Sequence, residues 1–201
     1  MFVELGFGGW EFNCAPLAFH WEGLLVDGDA YNVTIAHTIL PGRVQAKKIW
    51  LTLETLSIVE DYARGRDIGI LSVDVDGNDY WFIERLIKLK PAIIIVEYNS
   101  NFGHRSITIP YDPQFYYETG PYRYYSGASL PALTRLAAQN GYSLIAVGSC
   151  GINAFFVRND LLGDDDIPLD PIYAYREQWY DDGLRASQRW EKMKHLPFVE
   201  V

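Results

Sequence analysis

The order in which short apolar runs and helical patterns succeed one another restricts this chain more than any other feature. Phe2–Leu5, Gly23–Asp27, Val44–Leu51, Ile68–Val73 and Ala92–Tyr98 read as strands, with helical patterns in most of the gaps between them. Such alternation is what a parallel sheet demands, because each parallel connection must cross back over a face, usually as a helix. Ile93, Ile94, Ile95 and Val96 stand in one unbroken row. A strand without a polar face is buried on both sides, so this one is predicted at the centre. Val44–Leu51 carries Lys47 and Lys48, which suit an edge. Tyr142–Val147 and Ala154–Arg158 are separated only by residues 148–153. That link is too short for a crossover helix, so the pair must form an antiparallel hairpin. The expected fold is α/β, a seven-stranded and mostly parallel sheet with a C-terminal antiparallel β-hairpin and helices on both faces.

Helices are predicted over Glu11–Trp21, Ala30–Leu40, Thr55–Arg64, Asp79–Leu89 and Ser129–Gln139. Pro41-Gly42, Pro91 and Asn140-Gly141 stop three of them, and Asn78 and Ser129 are placed to cap two. Residues 99–127 hold many Tyr, Pro and Gly and no clean period, so they read as an aromatic insert that folds over the site as a substrate cap. Residues 1–160 form the main domain. Residues 161–201 form a tail packed on it, with an amphipathic helix over Leu184–His195 that puts Trp190 and Met193 on one side.

With 17 Lys and Arg against 26 Asp and Glu, the net charge is −9. An acidic surface repels phosphate backbones and anionic membranes, so neither nucleic acid nor a membrane is an expected partner. A small neutral or cationic substrate, or a local exception to the mean charge, is compatible with this balance. The aromatic tail allows self-association into a homo-oligomer. Cys14 and Cys150 make no metal pattern and are expected as buried free thiols rather than one disulfide. The first residues carry no basic stretch followed by a long apolar run, and no apolar run reaches bilayer length, so a soluble, cytoplasmic protein is expected.

Open sheets of this type bind ligands where the carboxyl ends of the strands meet a reversal in strand order. The first strand runs straight into Gly6-Phe7-Gly8-Gly9, a turn that lets a ligand approach the backbone. A dinucleotide fingerprint needs a third glycine at position 11, where this chain has Glu11. Glu4, two residues before the first glycine, instead suits the ammonium of an S-adenosylmethionine amino-acid moiety. Asp27 ends the second strand, where a carboxylate accepts both hydroxyls of a ribose, with Gly28 beside it and Asp29 as a nearby substitute. Asp74 ends the fourth strand, near where reacting groups should sit.

Three segments resemble the FkbM-type methyltransferases, a family within the S-adenosylmethionine-dependent enzymes of Rossmann-like fold. They are Val3-Glu4-Leu5-Gly6-Phe7-Gly8, Leu71-Ser72-Val73-Asp74-Val75-Asp76-Gly77-Asn78-Asp79 and Val96-Glu97-Tyr98-Asn99. The likeness covers roughly residues 1–160 and includes Ser126 through Arg158. The family shows lysine and glutamate where this chain has Ser72 and Asp76, so one positive charge is gone and one carboxylate reaches less far. Trp10 replaces the third glycine of the usual loop. The chain also opens directly on its first strand, where relatives generally carry a helical segment able to cover the cofactor. The resemblance implies methyl transfer to a hydroxyl on a small molecule, often a sugar or natural product.

Methyl transfer from a sulfonium requires in-line placement and removal of the hydroxyl proton. Candidates for that chemistry are Asp74, Asp76, Glu97, Asn99 and His104, with Asp76 the preferred general base. Alternatively Asp74, Asp76, Glu97 and Asn99 bind a hard cation such as Mg²⁺ that acidifies the hydroxyl. Two rival readings remain open: a catalytically inactive methyltransferase-like binding module, and an NAD-dependent oxidoreductase of related fold.

Overall fold

A computed structural model of the 201-residue chain describes residues 1–9, 12–117 and 123–201. Trp10 and Glu11 of the first predicted helix, and residues 118–122 of the insert, lie outside the described part.

Seven strands form one sheet in the order β3-β2-β1-β4-β5-β8-β7. They are β1 (Phe2–Leu5), β2 (Gly23–Asp27), β3 (Val44–Lys48), β4 (Ile70–Val73), β5 (Ile93–Glu97), β7 (Tyr142–Val147) and β8 (Asn153–Arg158). β1 pairs in parallel with both β2 and β4, and β4 with β5. β8 runs antiparallel to β5 and to β7, as the short hairpin link requires. The order reverses at β1, so its carboxyl end flanks the cleft that such a reversal opens. β3 is an edge strand whose residues alternate between buried and more exposed, in keeping with its two lysines.

The central strands are buried because both faces are covered. Val3, Leu5, Leu24, Val26, Leu71, Val73, Ile94 and Val96 pack on one side, against α2 (Ser57–Ala63), α3 (Asp79–Leu86) and α4 (Leu130–Gln139). Phe2, Leu25, Val44 and Ala46 pack on the other, against α1 (Ala30–Ile39) and Cys14 and Ala18. α4 shows the sequence logic well: Ser129 Oγ accepts from Ala132 N at 3.1 Å, and Leu130, Leu133 and Leu136 bury one stripe. Each such leucine is worth about 1.5–3 kcal/mol on burial.

Several local expectations are corrected. No helix covers the described part of Glu11–Trp21; a short 3₁₀ turn spans Ala15–Phe19. The amide groups of Asn13 and Cys14, which would serve a helix's first turn, donate instead to the Glu4 carboxylate. Asn78 stands at the N-cap of α3 but makes no capping bond, because its amide holds the backbone of Asp112 in the insert. Asp79, one residue later, accepts from Val75 N and Gly77 N at 2.9 Å each. Both cysteines are free, but only Cys14 is buried; Cys150 is exposed in the hairpin turn.

The insert and the tail pack on each other. Within the insert, β6 (Ile107–Thr108) pairs antiparallel with β9 (Val199–Glu200) of the tail. α5 (Pro171–Ala174) is one helical turn in the tail, capped by Asp170. Tyr98 at the end of β5 donates to Arg176 O, and Tyr175 donates to Ser100 O. α6 (Ala186–Met193) buries Met193 against Phe102, Ile107, Ile109 and Tyr125. No helix among the described residues is long and apolar enough to cross a membrane.

Candidate functional site

The site is built at the carboxyl ends of β1, β2, β4 and β5. Gly6 turns the chain out of β1 with φ +73°, and a Cβ there would stand 1.7 Å from the Asp74 carbonyl oxygen. No side chain fits, so the β1 and β4 ends stay in close backbone contact. Asp27, at the end of β2, ties this turn down. Its Oδ2 accepts from Phe7 N at 3.1 Å, and its Oδ1 accepts from Asp29 N at 2.6 Å and from Asn32 Nδ2 at 3.3 Å. Asp27 is only half-buried, so its carboxylate borders both the turn and solvent. Phe7 is buried and stacked on Phe12, with ring centroids 5.2 Å apart. Beside Gly28 stands the ring of Trp50, whose Nε1 donates to Pro113 O of the insert at 2.8 Å.

The second half of the site is a carboxylate cluster. One oxygen each from Asp74, Asp76 and Glu97 lie within 4.8 Å of one another. β4 and β5 are paired neighbours, so their ends bring Asp74 and Glu97 side by side, and Glu97 is hydrogen-bonded to Asp74. Two carboxyl groups held that close disfavour each other's charged form. Burial, and then the charges of Asp74, Asp79 and Asp76, hold the Glu97 pKa well above the carboxylate range. Asp79, fully covered beneath the turn, is pushed to about 7 by burial and by Asp74. Asp76 has the left-handed φ of +57° and reaches solvent on one side. Surrounding protein and the Asp27 charge still raise its pKa. The interactions that shift Asp76 and Glu97 come from burial and from other acids.

The expected site residues therefore separate. Asp74, Asp76 and Glu97 converge, and Gly6, Phe7, Gly8 and Asp27 make up or border the turn. Glu4 does not face a ligand: it is 1% exposed, and its two oxygens accept from Asn13 N at 2.6 Å and Cys14 N at 3.0 Å. Burial raises its pKa to about 7 despite those bonds. Asp29 is an exposed N-cap whose Oδ1 accepts from Tyr31 N. Asn99 leaves the ligand set because its amide is fully used. Its Oδ1 accepts from Asn101 N and Nδ2, and its Nδ2 donates to Tyr124 O and Ser126 O. His104 is exposed and packs edge-on against Tyr175 of the tail, with ring centroids 5.1 Å apart.

The sequence missed what the tail contributes. Tyr117 from the insert and Tyr180 from the tail both lie within electrostatic reach of Glu97. Arg123 bonds Tyr117 and also Asp181 at 3.1 Å, which joins the two segments. Arg189 is 1% exposed, pairs with Asp182 at 2.8 Å and lies over the Tyr180 ring at 4.3 Å. A run of tyrosines signals an aromatic wall, but nothing in it shows that the tail supplies half. Two cavities, of about 370 Å³ by Met1 and Glu22 and about 750 Å³ by Arg105 and Trp190, share no residue with the cluster.

The chain matches no protein-family model, and no curated protein matches it.

Proposed function

We propose that this protein is an S-adenosylmethionine-dependent methyltransferase acting on a hydroxyl of a small molecule. The observation that carries the reading is the convergence of one oxygen each from Asp74, Asp76 and Glu97 beside the Gly6 turn at the strand-order reversal. The donor set fits this cofactor. It brings a ribose diol and two cationic centres, the sulfonium and the ammonium, to a place rich in carboxylates. A nicotinamide dinucleotide would bring a pyrophosphate to the same acids, and the third glycine that such a ligand uses is missing. The family resemblance and the Rossmann-like order of strands support the same choice.

Under this reading Gly6, Gly8 and Asp27 hold the adenosine end, with Trp50 beside Gly28 as an apolar wall. The cofactor, when bound, supplies an electrophilic methyl group. Asp76 takes the proton from the acceptor hydroxyl, because it is the cluster member open to solvent and its raised pKa makes it a stronger base than an ordinary aspartate. The raised pKa of Glu97 favours its neutral form and so limits repulsion inside the cluster. Tyr117 and Tyr180 border the acceptor side. The test is incubation with S-adenosylmethionine carrying a deuterated methyl group and a panel of sugars, phenols and polyols. A labelled methyl on oxygen, found by mass spectrometry, supports the reading; transfer of label to none of them while NAD is reduced or oxidised overturns it.

A second reading is favoured by the close approach of the Asp74, Asp76 and Glu97 oxygens, which suits a hard divalent cation such as Mg²⁺. The cation would lower the pKa of the hydroxyl in place of a free general base. Activity that survives thorough chelation eliminates it.

A further inference from the structure

Asn153 opens β8 and stands opposite Glu97 in the β5–β8 ladder, so both side chains leave the sheet on one face. Its Nδ2 donates to Asn13 Oδ1 at 3.3 Å. Its Oδ1 is buried and has no hydrogen-bond partner among the described residues. Asn13 is fixed in turn, by its own N on Glu4 Oε1 at 2.6 Å and by its Nδ2 on Ser72 Oγ at 3.1 Å. A buried acceptor left without a donor costs about 1–3 kcal/mol. The loop that creates this cost is held by three hydrogen bonds, so it is a built arrangement and not a slack one.

No donor to this acceptor stands among the described residues, so the position suits an N–H brought by a ligand. The groups around it select which donor. Glu97 adjoins it across the ladder, and Asp74 is bonded to Glu97. A cationic N–H donor satisfies the orphaned oxygen and offsets the neighbouring acids, whereas an anion would do neither. We propose that Asn153 Oδ1 accepts a hydrogen bond from the α-ammonium of the bound S-adenosyl ligand, with Asn13 and Ser72 as positioning residues. The inference rests on the methyltransferase reading and adds to it. It makes the antiparallel hairpin a contributor to the cofactor site and gives the ammonium a partner that Glu4, spent on Asn13 and Cys14, does not provide.

The test is isothermal titration of wild type, Asn153→Ala and Asn153→Asp with S-adenosylhomocysteine and with 5′-methylthioadenosine, which lacks the amino-acid moiety. Asn153→Ala should weaken S-adenosylhomocysteine at least tenfold and leave methylthioadenosine within twofold. Asn153→Asp, which keeps an acceptor, should restore the former. Unchanged affinity for both ligands in Asn153→Ala would assign the orphaned oxygen to a water and overturn the inference alone. Equal weakening of both would show a general disturbance and overturn it too. A wild type that binds neither ligand would bring down the methyltransferase reading itself.

Discussion

The two halves of the site use the same residue type in opposite ways. At the ends of β1 and β2, Asp27 spends both oxygens on Phe7 N, Asp29 N and Asn32 Nδ2. At the ends of β4 and β5, Asp74, Asp76 and Glu97 are gathered against one another. The first carboxylate stabilises the backbone that surrounds it. The second group is held together at an electrostatic cost, which a proton or an arriving cation would lower. A strand-end acid thus meets backbone and amide donors in one place and other carboxylates in the other.

The largest expected effect separates the halves by function. Asp76→Asn should lower methyl transfer by about 10²–10⁴-fold, the usual worth of a general base, and leave S-adenosylhomocysteine affinity within about threefold. Product formation and titration on the same preparation check this. Equal activity would remove Asp76 from the chemistry. The reverse pattern is expected at the other half: Asp27→Ala should weaken S-adenosylhomocysteine at least tenfold, since a ribose diol loses its charged acceptor. Identical titration curves would show that Asp27 serves only the turn.

A pH scan sharpens the contrast further. Glu4 and Asp79 are each raised to about 7, and Glu97 and Asp76 are also raised. In the window from about pH 4 to 7 the folded state therefore binds more protons than the unfolded chain. The stability these groups contribute is present below their ordinary pKa values and is lost as pH rises through the folded ones. The Tm should fall by about 5 °C or more between pH 5 and pH 8, after other titrations are matched in controls. Glu97→Gln should reduce that fall, because it removes one of the opposed charges. A smaller effect is expected in the wall: Arg189→Lys should raise amide exchange across 175–189, since a lysine cannot keep the guanidinium's several bonds to Asp182, Leu184 and Asn101. Unaltered exchange would show that those bonds are dispensable.

Much of the sheet was legible from the chain because its signals are local. The run Ile93–Val96 marks a strand buried on both faces, and the short link 148–153 forces the antiparallel hairpin. The strand-end acids Asp27, Asp74 and Glu97 follow from the same boundaries. What failed depends on distant partners. The first helix gives way to a 3₁₀ turn because Glu4, buried in β1, captures the amides of residues 13 and 14. Asn99 reads as a ligand until its neighbours in the insert claim all of its amide. The pairing of β6 with β9 joins segments some ninety residues apart, and two-residue strands carry no periodicity. The orphaned Asn153 depends on register, which no single strand reveals.

The central claim is that the glycine turn and the strand-end acids hold an adenosine that carries positive charge. Parallel calorimetric titrations of the wild-type protein with S-adenosylmethionine, S-adenosylhomocysteine and NAD test it most directly. Saturable binding of both S-adenosyl ligands, tighter for the sulfonium, and no heat with NAD is the predicted result. Binding of NAD, or silence with S-adenosylmethionine, would contradict it.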